Sequence, residues 1–548
     1  MRWSLAVALL LLLPFGARAD MFQDAANAKM PEAARNLGLV LSVKDYGAIG
    51  DGGSHPLSTR HGSLAEAQAV CPTATALTQE IDWCAAQAAI DYARNLPEIA
   101  GMTGARGAEI YWPPGYYMHG ASTLVADDTT LYLRGAGPQS TVIQYTGSAG
   151  VNLLDFGQGG SLPRSGALRV SNMTWLNAGA GGIAINAKFN LATPTLTVDY
   201  MDFSKVGSGY FSRAIHCLAC SYAVIEHNHA YGTLPGSTDF VYFEDNNTLL
   251  GHYSNKFSDN YSHSWINGYH IVNNSTVAQQ GPRWLHNDHV RGQRFLYVEN
   301  MPGAGSPPEY TLLDNEAQID GYFVDATGAV QNLKAIGNEM FIGAGGMPSP
   351  VAEGGGFNLR GAFGASIIAN TLSVTGTNTA LVNFLTTDGQ HGQVYGNIYR
   401  NPQVGVTMNG VTLEPGSIWW YERHNDAVSG TTSAVIDNGG PSNNTSLQPM
   451  FNGSIITPKS FVLATDGGTT NLNCGTTLFT HTSGIAAHTV VMPASPRIGC
   501  TVSLGTKFNI TTLTMTGAVL DPLTTLSGAA PAAWTFGAGS WFRCAACQ

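Results

Sequence analysis

The apolar positions of this chain form short runs instead of long stripes. Across most of the chain, apolar and aromatic residues alternate with polar ones, and Gly, Asn, Asp or Pro ends each run. This alternation, broken by turn residues, predicts short β-strands. One segment differs, because Ile81, Ala85 and Ala88 recur at helical spacing after a candidate N-cap at Thr78. We therefore predict one helix, at about residues 78–95, in an all-β chain.

One phrase recurs with a nearly constant period after residue 199. It consists of a short apolar strand, an Asn and a second short strand, and it occurs at Asn228, Asn255, Asn287, Asn315, Asn338, Asn370 and Asn397, with Asp202 in the same slot before them. A third strand fills each interval. This repetition predicts a right-handed parallel β-helix with three strands per coil, in which the repeated Asn side chains hydrogen-bond from coil to coil.

Both ends of the chain depart from the repeat. Residues 1–19 combine Arg2, an apolar run and an Ala-Arg-Ala sequence, which is the pattern of a secretory signal peptide. The capped solenoid is predicted for residues 20–436, a turn-rich linker for 437–458 and a small β module for 459–548. This module fits trimerisation, glycan binding or capping equally well, so a homotrimer is an open alternative.

The charge composition of the chain argues against two classes of binding partner. The chain has 26 Lys and Arg against 37 Asp and Glu, a formal net charge of −11, and only 11% of its residues are charged. This balance argues against a basic surface for nucleic acid or an anionic membrane. The N-terminal apolar run is too short to span a bilayer.

Cysteine spacing agrees with export. The eight cysteines fall in local pairs, which are Cys71/Cys84, Cys217/Cys220, Cys474/Cys500 and Cys544/Cys547. An even number of cysteines behind a signal peptide indicates disulfides. We therefore expect a secreted protein, extracellular or periplasmic.

Stacked coils convert the repetition into columns of side chains about 4.8 Å apart. We aligned the third strands on their apolar residues, Phe243, Val272, Val298, Val324 and Leu359, so that the neighbours on either side point outward. The outward residues are then the carboxylates Glu244, Glu299 and Asp325, the rings of Tyr242, Tyr297 and Phe323, and Arg360. Carboxylates supply acid and base, and rings stack on sugars, so the first three are catalytic candidates and the others substrate-binding candidates. The alternative is that they only solvate the corners of the coils.

A second column follows the repeated Asn positions. It holds Asp288, Glu316 and Glu339, with His289 beside the first of them. Asp288 and Glu316 are further catalytic candidates, and His289 is a candidate for substrate binding. The same carboxylates could instead form a Ca²⁺ site or a charged strand that keeps the solenoid soluble.

The N-terminal residues carry a family resemblance. LSVKDYGAIGDGG (41–53), the helix, GAEIYWPPGYYMHG (107–120) and TTLYLRGAGPQSTVIQY (129–145) resemble the opening of the pectate lyase superfamily. Within it they resemble the branch called pectate lyase 3 or glycoside hydrolase family 28-related, which includes phage tailspikes. The resemblance covers about residues 40–150 by motif and 150–420 by repeat alone. It implies that the helix caps the solenoid and that the substrate is a polysaccharide.

The resemblance leaves the reaction open. Lyases of this kind use basic residues and usually Ca²⁺, but no Lys/Arg row is obvious here. The related hydrolases carry N-T-D and D-D motifs, which do not stand at a clear position. We predict a secreted, cofactor-free glycoside hydrolase. A Ca²⁺-dependent polysaccharide lyase and a non-catalytic, tailspike-like glycan-binding protein are the alternatives.

Overall fold

The computed structural model describes residues 39–543, apart from 98–106, 128–129, 148, 158–166, 190–194, 246–253, 274–280, 301–308, 328–329, 415–416, 418–419, 424, 430–432, 438–458, 473–474, 481–482, 495–499, 507, 528–531 and 538. The predicted signal peptide and nearly all of the predicted linker lie outside the described residues. No helix among the described residues is long and apolar enough to cross a membrane.

The predicted helix is present and spans Ile81–Arg94. Its N-cap is Glu80, so the assignment of that role to Thr78 was wrong. Trp83 and Gln87 donate side-chain hydrogen bonds to the carbonyl groups of Thr123 and Val125, beside the first coil. The helix therefore covers the N-terminal end of the solenoid, as the resemblance implies. A second, shorter helix spans Leu64–Val70, and 3-10 turns span Val43–Tyr46 and Leu57–Thr59.

The chain then winds into a parallel β-helix with three walls, and the predicted fold is confirmed. Wall 1 is a sheet of 12 strands, one from each coil. Every strand of wall 1 pairs in parallel with the strand one coil away. Its strands are Leu124–Ala126, Leu154–Phe156, Ile183–Lys188, Arg213–Leu218, Asp239–Glu244, Asn267–Asn273, Arg294–Asn300, Tyr322–Ala326, Val351–Leu359, Thr379–Thr387, Thr407–Leu413 and Ser433–Asp437.

Walls 2 and 3 belong to one continuous sheet of 23 strands, because two long strands, Ala167–Asn177 and Thr195–Lys205, pass through both walls. The other strands of wall 2 are Val40–Ser42, Gly107–Trp112, Thr130–Gly135, Val224–Glu226, Lys256–Ser258, Arg283–Leu285, Glu309–Leu313, Gln331–Ile336, Ser366–Ile368, Gln393–Tyr395 and Tyr421–Arg423. Those of wall 3 are Gly115–Gly120, Thr141–Tyr145, His229–Tyr231, Tyr261–His263, Asp288–Gly292, Glu316–Ile319, Glu339–Ile342, Thr371–Val374, Ile398–Arg400 and Asp426–Ser429.

The C-terminal residues form two smaller sheets of five and three strands. The strands are Lys459–Leu463, Gly468–Asn471, Gly475–Thr480, Ile485–Val491, Thr501–Thr506, Ile510–Thr516, Ala532–Gly537 and Ser540–Arg543. The first six pair in parallel with the strand one turn away, and the last two form an antiparallel hairpin. These sheets have an apolar cluster of their own, which includes Trp534 and Trp541.

A ladder of buried asparagines runs between walls 2 and 3. Each amide nitrogen donates to the side-chain oxygen of the next Asn at 2.8–3.0 Å, in the order Asn228, Asn260, Asn287, Asn315, Asn338, Asn370, Asn397 and Asn425. The ladder is confirmed, but two of its predicted members are not part of it. Asn260 occupies the ladder position that was predicted for Asn255. Asp202 stands opposite His229, which is one residue after the ladder residue Asn228.

The backbone turns just before the ladder residues from Asn228 to Asn397. His227, Asp259 and His286, which precede three of the ladder asparagines, have φ values of 56°, 54° and 51°. In these turns the left-handed conformation therefore belongs to the residue before the Asn. The Asn itself supplies the hydrogen bonds between coils.

The cysteines follow the predicted pairing in part. Cys217 and Cys220 form a disulfide. Cys71 and Cys84 are buried free thiols that hydrogen-bond to each other, so this pair is adjacent but not bridged. Cys474, Cys544 and Cys547 lie outside the described residues.

Candidate functional site

At the centre of wall 1, three columns of side chains, most of them polar, lie next to one another. We call these three columns the wall 1 site. The strand register places Arg213, Asp239, Asn267 and Arg294 in the first column. The second column contains His216, Tyr242, His270, Tyr297, Asp325 and Asn358. The third contains Leu218, Glu244, Val272 and Glu299. The register therefore brings Glu244, Glu299, Tyr242, Tyr297 and Asp325 onto one face.

The register corrects two details of the predicted alignment. Val272, and not Asn273, lies between Glu244 and Glu299. Asp325 stands opposite Tyr297, so it is not the direct neighbour of Glu299 in its column. The sequence misled here because apolar residues occupy successive positions in these strands, and their order does not show which of them points inward.

A buried carboxylate organises the site. Asp239 accepts hydrogen bonds from Arg213 Nε at 3.1 Å and from Asn267 Nδ2 at 2.8 Å, and it lies 3.1 Å from His270 Nδ1. Burial alone would raise the pKa of Asp239. The contact with His270, together with Asn267 and Arg213, outweighs burial and lowers that pKa. Asp239 is therefore held as a carboxylate.

The Asp239 contact also fixes the orientation of His270. With Nδ1 turned toward Asp239, the other ring nitrogen, Nε2, lies 3.5 Å from Glu299 Oε2. Among the described residues, Nε2 has no hydrogen-bond partner although it is buried. A histidine held by a carboxylate with its second nitrogen available is the arrangement of a proton carrier.

Glu244 is held by two neighbours on the same wall. Its carboxylate lies 3.2 Å from His216 Nε2 and accepts a hydrogen bond of 3.1 Å from the Tyr242 hydroxyl. The His216 contact is the main reason that the pKa of Glu244 is lowered, and burial opposes it. Burial and the charge of Glu244 raise the pKa of Tyr242, so its hydroxyl keeps its proton.

An equivalent arrangement follows two coils later. Arg294 Nε donates to Asp325 Oδ2 at 2.6 Å, and its guanidinium lies 4.4 Å from the centre of the Tyr297 ring. Arg213 covers the Tyr242 ring in the same way, at 3.6 Å. Burial first and the Glu299 contact second raise the pKa of Tyr297 to about 12. Each tyrosine of the site is thus fixed by one arginine and one glutamate.

Two of the predicted substrate-binding residues lie inside the solenoid. Phe323 is fully buried, and its ring stacks 4.6 Å from that of Phe295 in a column of core aromatics. His289 is also fully buried, and its Nδ1 contacts the Ser262 hydroxyl at 2.8 Å. Both side chains point into the coil, so the predicted surface position of these two residues was wrong. Arg360 is partly exposed, directly after the strand Val351–Leu359.

The second predicted column is present on a different wall. Asp288, Glu316 and Glu339 stand opposite one another on successive strands of wall 3. Burial first and the charge of Glu316 second raise the pKa of Asp288. In the part of the chain that the structure describes, no three His, Cys, Asp or Glu side chains are arranged to hold a metal ion. This column remains separate from the wall 1 site.

Sequence reasoning missed several members of the site. Arg213, His216, Asp239, His270 and Arg294 were not among the predicted residues. A signal was present, since a polar residue opens each of these strands, three positions before the His or Tyr of the second column. The sequence shows no row of basic residues here because Asp239 and Asn267 separate the two arginines in their column.

Comparison with known proteins adds information on the fold. No protein-family model matches the chain, and no curated protein matches it. The A-module of mannuronan C-5 epimerase AlgE6 from Azotobacter vinelandii is 19% identical with a TM-score of 0.44, and the match covers 74% of this chain and 97% of that one. The Streptococcus pneumoniae surface protein and adhesin PfbA is 12% identical with a TM-score of 0.46, covering 73% and 100%.

Tailspike protein 3 of bacteriophage CBA120 is 11% identical with a TM-score of 0.44, and that match covers 79% of this chain and 68% of the tailspike. At these identities the similarity concerns the fold alone.

Proposed function

We propose that the protein hydrolyses a polysaccharide bound along wall 1, with Glu244 and Glu299 as the pair of catalytic carboxylates. One observation carries this proposal. The two side chains share one outward column, two coils apart, with Val272 between them. They are 28% and 38% exposed, so both are accessible to a ligand. Two coils correspond to about 10 Å along the wall, close to the roughly 6.5–9.5 Å that separates the carboxyl groups of inverting glycosidases.

The environments of the two carboxylates suggest different roles. Since the His216 contact lowers the pKa of Glu244, this carboxylate suits the base that activates water. Glu299 would then donate the proton to the leaving oxygen. His270, 3.5 Å away and oriented by Asp239, is placed to return a proton to Glu299 after each turnover.

The aromatic and basic side chains support substrate binding. Tyr242 and Tyr297 lie in the column beside the two glutamates, and each ring is held by a stacked guanidinium. Fixed aromatic rings and guanidinium groups side by side on one wall fit a linear chain of sugar rings, which offers an apolar face and many hydroxyl groups.

The test is a reducing-end assay on a polysaccharide panel with Glu244→Gln and Glu299→Gln. We expect each variant to lower kcat about 10²–10⁴-fold, as loss of a general acid or base does. Glu309→Gln is the matched control, since this exposed glutamate lies on wall 2 beside Lys334. Equal activity of the three variants and the wild type would contradict the proposal.

β-Elimination of a uronate polymer is the second candidate, and the Asp239–His270 pair favours it. A histidine oriented by a buried carboxylate can abstract a proton next to a uronate carboxyl group. Arg213 and Arg294 are each paired with an aspartate, and the N–H groups that these pairs leave unused can donate hydrogen bonds to the uronate carboxyl group. A lyase releases an unsaturated product that absorbs ultraviolet light together with each reducing end. If EDTA abolished the lyase activity, the reaction would require Ca²⁺. Reducing ends without the absorbance would exclude elimination.

A protein that only binds glycan is the third alternative. It would retain a polysaccharide without releasing reducing ends, and Tyr242→Ala would weaken retention while Glu299→Gln would not. Absence of cleavage on a broad panel, combined with such retention, would replace the hydrolase proposal.

A further inference from the structure

A polar cleft, separate from the wall 1 site, lies on wall 2. Its volume is about 450 Å³, within the range of small-ligand sites. The residues that line it belong to wall 2 strands of the early coils and the turns that follow them, and no residue of the wall 1 site is among them. Neither the family resemblance nor the proposed hydrolysis gives this cleft a role.

Two arginine–carboxylate pairs form the polar part of the cleft. Arg134 Nε donates to Glu109 at 2.7 Å, and Arg169 donates to Asp199 through Nε at 3.0 Å and Nη2 at 2.6 Å. The carboxylate side chains are buried, while the side chains of Arg134 and Arg169 are 33% and 23% exposed. A guanidinium has five N–H groups and these pairs use only part of them, so donors remain for a ligand.

Aromatic rings complete the cleft. The Arg169 guanidinium lies 4.8 Å from the centre of the Tyr132 ring. Tyr200 is 48% exposed, and its ring stacks on the His227 ring at 4.8 Å. Tyr200 also has a φ of 53°, a conformation uncommon for a bulky residue, and the same turn of other coils holds Asn172, His227 or Asp259. A large exposed ring is thus kept where a small polar residue suits the backbone better.

We propose that this cleft is a second, non-catalytic glycan site that holds one sugar ring of a polysaccharide. Tyr200 stacks on the sugar face, and Arg134 and Arg169 donate hydrogen bonds to its hydroxyl groups. The charges of the two arginines cancel those of Glu109 and Asp199, so the cleft selects a neutral sugar over an anionic one. Two glycan sites on different walls would raise the avidity for a long polymer without any change in chemistry.

The test is affinity electrophoresis of the full chain in gels that contain dextran, xylan, polygalacturonate or alginate. The background is Glu244→Gln/Glu299→Gln, so that the gel polymer is not cleaved. Tyr200→Asn keeps a residue that tolerates the left-handed turn and removes the ring. Tyr222→Asn is the matched control, because Tyr222 is also exposed, with a φ of 56°, and does not line the cleft.

We expect Tyr200→Asn to weaken retardation by dextran or xylan about tenfold in Kd, and Tyr222→Asn to leave it unchanged. Arg134→Lys keeps the charge beside Glu109 without the planar fork, and we expect it to weaken retardation as well. The proposal would be overturned if Tyr200→Asn, Arg134→Lys and the background were retarded equally. It would also be overturned if the two variants lost binding only to the anionic polymers, polygalacturonate and alginate.

The outcome is independent of the hydrolase proposal. Cleavage by the wild type together with no effect of Tyr200→Asn on retardation would reject the second site alone. Retardation that depends on Tyr200 without cleavage by the wild type would reject the hydrolase alone.

Discussion

Asp239 shows how one buried residue organises the wall 1 site. Its two carboxylate oxygens are shared among Arg213 on the preceding strand and Asn267 and His270 on the following strand. A buried carboxylate is tolerated only when it is paired and hydrogen-bonded. The network therefore fixes three side chains through one charge, and loss of that charge should affect stability and activity together.

Asp239→Asn should destabilise the protein by about 3–5 kcal/mol near neutral pH, because it leaves Arg213 without its carboxylate. The pKa of Asp239 is lowered in the folded state, so its contribution is complete above the unfolded pKa of about 3.9 and is lost as the pH falls through the folded pKa. The stability difference between wild type and variant should therefore narrow below about pH 4. Urea unfolding of both proteins between about pH 3 and pH 7 measures this difference in the free energy of unfolding. A difference that does not change with pH would contradict the charge pairing of Asp239.

At the scale of an element, the Asn ladder explains how the coils keep their register. Asn287 donates to the Phe257 carbonyl and to Asn315, and it accepts from the Asn260 side chain and the Tyr269 hydroxyl. Asn255, outside the ladder, accepts from the Ala223 backbone and donates to the Cys220 carbonyl. Both side chains are buried, but a ladder residue satisfies groups on two neighbouring coils.

Asn287→Ala should therefore cost more than Asn255→Ala. Each buried polar group that loses its partner costs about 1–3 kcal/mol, and the ladder variant leaves more of them unpaired. Equilibrium unfolding of the two variants side by side measures the difference. Equal costs would mean that the ladder adds nothing beyond local hydrogen bonds.

At the scale of the whole molecule, the chain has two separate apolar cores. One cluster extends from Leu41 to Trp420, and the other from Ala464 to Trp541. The wall 1 site lies entirely on coils of the first. A solenoid is stabilised by contacts between neighbouring coils, so distant segments contribute little to one another.

A chain truncated after Asp437 should therefore keep the β-rich circular dichroism spectrum of the full chain and the hydrolytic activity that we propose for it. Sedimentation of both forms tests the trimer alternative, since a trimer that depends on the C-terminal module should dissociate in the truncated form. Loss of activity in a folded, monomeric truncated chain would show that the module contributes to the site.

The sequence alone was sufficient for the architecture. The period of the Asn phrase and its three strands per interval predicted a parallel β-helix, and the outward pair Glu244 and Glu299 followed from it. The family resemblance added the helical cap. These features are local, because turn chemistry and the alternation of side chains across a strand are encoded within each coil.

Tertiary structure decided the register between coils, and with it the composition of the site. Phe323 was predicted on the surface and lies in the core, while Asp325 stands opposite Tyr297 instead of Glu299. The register at this strand lies two residues from the predicted alignment, because Val324 stands opposite Leu296 and not Val298. Turns of unequal length hide such a shift in the sequence. The partners Asp239 and His270, 31 residues apart, meet only because the coils stack.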